Sequence, residues 1–188
     1  MPQPAPHSDI STPADAVSTA GGGSWRRFLW RDAVIVLLTV ALWIGILTFR
    51  LPAAIEVICG LLTGLCALQL HEWGHVYGGL QAEAAIYPPR RLFSPFLFGI
   101  DNTHTTRAQF LSLTWPAFAA TAAYILAFWF LLPHDQLAGR VAVTMGSISA
   151  ALTVLIEFPI AGYVYRTGKI PNTALFKQSV QAGDAQSN

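Results

Sequence analysis

One short stretch concentrates residue types able to do chemistry: His71-Glu72-Trp73-Gly74-His75. On a helix, residues four apart lie on the same face. His71 and His75 can therefore both aim an imidazole nitrogen at one metal about 2 Å away, with Glu72 projecting beside them. Zn2+ held this way supplies a Lewis acid, and a neighbouring glutamate can take a proton from water and return it to a leaving amine. The chemistry that suits the arrangement is hydrolysis of an amide or similar bond. A chance match to this spacing in a chain of this composition has odds of only ~0.3 %. The competing reading is structural, with two histidines and a glutamate acting as polar glue between helices.

These residues must be positioned by elements that live in lipid. The chain has 188 residues, of which 53% are hydrophobic and 11% charged. A soluble domain carries about 25% charged residues, so this one lacks the polar surface to face water all round. Four apolar stretches, 33–49, 52–79, 110–132 and 141–165, are long enough to cross about 30 Å of hydrocarbon as helices. The expected fold is an all-α, polytopic membrane protein with about four transmembrane helices. The first stretch is at the short limit and follows Trp25-Arg26-Arg27-Phe28-Leu29-Trp30-Arg31, a basic aromatic anchor for a membrane surface. That anchor loosely resembles a twin-arginine export signal, but no small-residue cleavage site follows, so an uncleaved first span is expected. Residues 1–24, rich in Pro, Ala, Ser, Thr and Gly, are expected to be disordered. Residues 25–168 then form the membrane domain, and 169–188 a flexible tail.

Cytoplasmic loops carry the excess of Lys and Arg. Arg26, Arg27, Arg31, Arg90, Arg91, Arg107, Arg166, Lys169 and Lys177 fall on one side of the four spans, and only Arg50 and Arg140 on the other. This bias predicts that both termini and the middle loop face the cytoplasm, at the plasma (inner) membrane if the chain is bacterial. The scattered basic residues form no stripe, which argues against nucleic acid as a partner; the partners expected are the lipid bilayer and a membrane-protein substrate. Nothing in the sequence sets an oligomeric state. The middle loop, 80–109, contains Tyr87-Pro88-Pro89-Arg90-Arg91 and then an apolar patch from Leu92 to Ile100. Its prolines exclude a regular helix, and non-helical backbone at membrane depth must be buried in protein or line a cavity. A partly re-entrant segment beside the second span is expected. Cys59 and Cys66 lie about 10 Å apart on one helix, too far to bridge.

Two histidines leave a catalytic zinc one protein ligand short of the usual three. Glu157, in the fourth span, lies nine residues before Arg166, roughly 13 Å of helix. His71 and His75 lie at a similar distance before the end of the second span near Gln81, so the two sites share a depth and can meet. Pro159 removes a backbone hydrogen bond at Leu155 and can bend the helix there. Asp101 and His104 are the rival ligands, and Asn102 is a candidate hydrogen-bond donor to an oxyanion or a substrate backbone. Glu56, about four turns from His71, His7 and His134 are not placed to help.

Taken together, the motif resembles that of the site-2 protease group of intramembrane zinc metalloproteases, the M50 peptidases. The resemblance covers roughly residues 55–165. It rests on His71-Glu72-Trp73-Gly74-His75, with its glycine before the second histidine, on Phe96-Leu97-Phe98-Gly99, and on the stretch from Arg107 to Ala117 that enters a helix with a proline. The resemblance implies cleavage of membrane-protein substrates within or near the bilayer, with His71 and His75 as zinc ligands and Glu72 as the base. The family's third ligand is an aspartate in an Asp-Gly pair; this chain has instead Glu157, with Gly162 five residues on. Two other readings stay open at this point: a catalytically inactive, protease-like protein that binds or regulates membrane partners, and a two-iron membrane hydroxylase, for which the histidines are too few.

Overall fold

The structure, a computed structural model, describes residues 25–49, 51–89, 91–94, 97–101 and 104–171. The expected disordered tail with His7, the donor Asn102, the basic residues Arg50, Arg90 and Lys177, and the C-terminal tail from residue 172 lie outside the described residues. Four helical segments are long and apolar enough to cross a membrane, as the composition requires. Helix α1 runs Trp25–Thr48, α2 Ala53–Gln81 and α3 Arg107–Leu131. The last segment, Leu137–Thr167, is composite: α4 (Leu137–Leu152), a π-helical turn (Thr153–Glu157) and α5 (Phe158–Thr167). Helix α1 begins at the basic aromatic anchor itself, so the first span has 24 residues and is not short.

Helix α2 is the centre of the bundle and packs against α1, α3 and α4. Its glycines set how closely. A Cβ on Gly60 would stand 2.6 Å from the Val141 Cβ, and one on Gly64 2.6 Å from the Met145 Cβ, so the first half of α2 lies directly on α4. A Cβ on Gly74 would stand 2.6 Å from the Ala117 Cα, and one on Gly78 2.9 Å from the Leu113 Cα, so the second half lies backbone to backbone on α3. In lipid, where apolar side chains gain little by leaving the solvent, such small-residue contacts and interhelical hydrogen bonds hold helices together. Helix α1 is attached by the second means. Trp43 Nε1 donates to Thr63 Oγ1 at 2.9 Å, and Thr39 Oγ1 lies 3.5 Å from Cys66 Sγ. Outward faces carry large exposed apolar side chains such as Leu37, Leu126 and Leu155, the surface a bilayer requires.

Polar caps close the ends. Thr106 and Gln109 form a capping box at the start of α3, and the Gln109 Nε2 also donates to the carbonyls of Ala82 and Glu83 just past α2. Glu56, too far along α2 to join His71, accepts the Leu137 N–H at 2.9 Å and the Ala138 N–H at 3.3 Å, and so caps α4 from α2. Gly168, at φ 69°, ends α5 in the left-handed conformation.

Between α2 and α3 two short strands form. Strand β1 (Ile86–Tyr87) pairs antiparallel with β2 (Gly99–Ile100), Ile86 opposite Ile100. Ile86, Leu97 and Ile100 are buried together with Phe28 of α1, Val76 of α2, Phe110 and Leu113 of α3 and Val164 of α5. Leu97 and Ile100 of the apolar patch are thus drawn in beside α2, whereas Leu92 and Phe93 are exposed.

Candidate metal centre

His71 and His75 sit on the face of α2 that meets α3, and both are buried. Helix α3 runs antiparallel to α2, so one turn on each helix matches. The His71 Nδ1 lies 3.2 Å from the Ala117 carbonyl oxygen and 2.8 Å from Thr121 Oγ1, and the His75 Nδ1 lies 3.2 Å from the Leu113 carbonyl oxygen. Pro116 stands between those two carbonyls and has no N–H for Ser112. The glycines at 74 and 78 bring α3 close enough for these bonds; a side chain at either position would separate the helices and break them.

A carbonyl oxygen only accepts, so each histidine donates from Nδ1, and in the neutral ring Nε2 carries the lone pair. The two Nε2 atoms face each other at 3.1 Å. Glu157 completes the group: its Oε1 is 3.1 Å from the His71 Nε2 and its Oε2 3.2 Å from the His75 Nε2. An ionised carboxylate also only accepts. Three acceptors held this close repel one another unless a proton or a cation lies between them. Ligands about 2.0 Å from a tetrahedral zinc are about 3.3 Å apart, close to the separations here. His71, His75 and Glu157 are the group of three potential ligands found among the described residues, and their donor types suit zinc.

Glu157 reaches this position from the π-helical turn. The Phe158 N–H bonds to the Thr153 carbonyl, five residues back. Pro159 supplies the reason: without an N–H it cannot serve Leu155, and the helix makes a wider turn just before it. What the structure shows before Pro159 is a π turn, Thr153–Glu157, that ends on the candidate ligand.

Glu72 is buried on the neighbouring position of α2 and stands outside the ligand group. Its Oε2 accepts the Leu97 N–H at 3.0 Å, which fastens the re-entrant segment to the motif. Phe98 lies over His75, with ring centroids 5.1 Å apart. Of the rival ligands, Asp101 and His104 pair with each other at 2.7 Å on the far side of β2 and are not brought into the group.

The sequence reading missed Asp32. This buried aspartate accepts from Arg31 Nε, Gln69 Nε2 and Trp73 Nε1 at 2.7, 2.9 and 2.7 Å. Gln69 lies two residues before the motif on α2, and Trp73 lies within it. Directly after Arg31 and at the edge of the apolar run 33–49, Asp32 gave no signal beyond that of an interfacial anchor.

Fold and site together define a class: a membrane protein with four membrane-spanning helical segments among the described residues, two buried histidines clustered with a half-buried carboxylate, and a second carboxylate alongside. No family model, curated protein or solved structure matches the chain significantly.

Proposed function

We propose that the chain is an intramembrane zinc metallopeptidase of the site-2 protease type, cutting membrane-protein substrates within or near the bilayer. One observation carries the reading: the two imidazole Nε2 atoms and the Glu157 carboxylate converge within 3.1–3.2 Å of one another, and the Glu72 carboxylate is buried on the neighbouring position of α2. Zinc bound there supplies a Lewis acid that polarises a scissile carbonyl and makes water acidic enough to attack it.

The protein's own residues do the rest. The carbonyls of Leu113 and Ala117 fix both histidine tautomers and ring orientations, as outer partners of metal ligands do. The Leu97 N–H holds the Glu72 Oε2, leaving Oε1 to take the proton of the attacking water and hand it to the departing amide nitrogen. A helical substrate must unwind locally, because its peptide bonds are shielded by their own hydrogen bonds. The loop 86–104 is the surface on which an unwound stretch would lie. The balance of basic residues, nine against two, orients this side of the bundle and both termini toward the cytoplasm.

The reading is tested by metal analysis of purified protein together with cleavage of a membrane-segment reporter, on wild type and Glu72→Gln. The expected result is one zinc per chain in both and cleavage in wild type alone. Zinc near zero, with an intact cellular phenotype for Glu72→Gln, would instead favour a protease-like protein that binds membrane partners without cutting them. Iron in place of zinc would point to the hydroxylase.

A further inference from the structure

The proposed chemistry uses the carboxylates of Glu72 and Glu157 and leaves another carboxylate, the buried Asp32, without a task. Asp32 is 6% exposed, inside the helix that opens the bundle. A carboxylate at such a site is costly unless it is paired, and this one takes donors on both oxygens: Arg31 and Gln69 on Oδ1, Trp73 on Oδ2. Gln69 and Trp73 lie three residues before and one residue after Glu72, so Asp32 grips α2 on both sides of the base.

The second half of the arrangement runs the other way. Arg31, which donates Nε to Asp32, donates Nη1 to the Leu92 carbonyl oxygen at 2.6 Å. Arg27, one turn earlier on α1, donates to the Pro89 carbonyl oxygen. Both carbonyls belong to the segment that continues to Leu97, whose N–H holds Glu72. The planar guanidinium, with donors in a fixed fork, is what allows Arg31 to serve a carboxylate and a carbonyl at once.

We propose that Asp32 is a positioning residue for Glu72, acting through Arg31: α1 is a brace that fixes the Leu92 carbonyl against the motif turn of α2, so that the Leu97 N–H stays on the Glu72 carboxylate. The proposal rests on the metallopeptidase reading only in giving Glu72 the part of base; the brace itself is a statement about the Leu97 hydrogen bond. Arg27 and Arg31 thus face inward to protein carbonyls, a use distinct from anchoring at lipid headgroups.

The test is hydrogen exchange of the full chain in lipid nanodiscs, resolved at the Leu97 amide, for wild type, Asp32→Asn, Arg31→Gln and the double variant. Each single change is expected to speed exchange at Leu97 on the order of tenfold, with the α2–α3 amides unaffected. The double variant is expected to be no faster than the quicker single one, because both changes break the same path. Arg31→Gln leaves Asp32 its Gln69 and Trp73 donors, so it carries the test alone should Asp32→Asn not accumulate. On a cleaved reporter, the same variants are expected to lower kcat several-fold with KM and zinc content unchanged.

Leu97 exchange equal to wild type in the single variants overturns the proposal. So does an equal rise across the whole chain, which marks Asp32 as a general stabiliser, and so do effects that multiply in the double variant. Absence of zinc from the wild type would remove the metallopeptidase reading, and the exchange result would still decide the brace.

Discussion

At the scale of single residues, the centre is governed by which atoms can donate. His71 and His75 spend their Nδ1 protons on α3 carbonyls, so what remains toward Glu157 is a set of lone pairs. Removing one of the three ligands leaves two, too few to hold zinc tightly, so His71→Ala is expected to strip the metal, read as zinc per chain by mass spectrometry. Glu72→Gln is expected to keep the metal and reduce cleavage by about 10²–10⁴-fold, the usual worth of a general acid–base, read as kcat on a reporter. Thr121 lies 2.8 Å from the His71 Nδ1. Thr121→Val is expected to weaken zinc binding about tenfold, at the low end for an outer partner because the Ala117 carbonyl remains; a competition titration against a chelator measures it. The histidine spacing was legible in the sequence because four residues make one helical turn. Glu157 was legible from depth alone, since its distance to Arg166 matches that of the motif to Gln81. Asp32 was not: its partners lie 37 and 41 residues away, and beside three arginines it reads as part of an interfacial anchor.

At the scale of elements, two local irregularities aim the ligands. The π turn at Thr153–Glu157 is tied to Pro159. Pro159→Ala restores an N–H for Leu155 and favours a regular helix. Loss of the extra residue of that turn would rotate Glu157 by about 100° away from the histidines. The expected outcome is a large loss of zinc affinity with helix content unchanged, seen by metal titration beside circular dichroism. Glycines make the complementary point. Gly74→Ala places a methyl 2.6 Å from the Ala117 Cα and is expected to lower both the thermal midpoint and zinc affinity. Gly162→Ala meets nothing within 4 Å and is expected to be neutral, or to stabilise by up to ~1 kcal/mol through helix propensity. Pro159 announced an irregularity in the sequence, but not that it is a π turn. The paired glycines at 60 and 64 and at 74 and 78 are a readable signal of close helix contact, yet spacing does not say which helix each pair receives.

At the scale of the whole molecule, the bundle divides its labour. Helix α2 and the last span supply the candidate metal ligands, α3 supplies the carbonyls that hold the histidines, and α1 stands outside them as a largely exposed helix held by hydrogen bonds. Four spans were legible because lipid imposes a composition that no soluble domain has. The re-entrant character of the middle loop followed from prolines set among apolar residues, whereas its β1–β2 pairing depends on residues on either side of a turn and left no periodic trace. Leu37, 68% exposed on α1, faces lipid in this arrangement. Leu37→Arg is expected to cost about 3 kcal/mol of insertion free energy, measured with a glycosylation reporter of membrane integration, whereas a polar substitution at the exposed His104 is expected to change nothing in the same assay.

Zinc-edge X-ray absorption, on the wild-type chain and on Glu157→Ala, probes the cluster most directly. A single zinc with two imidazole nitrogens and carboxylate oxygen near 2.0 Å, lost in the variant, is the predicted result. Full zinc retention in Glu157→Ala, or a wild-type chain that takes up no zinc when the metal is supplied, would contradict it.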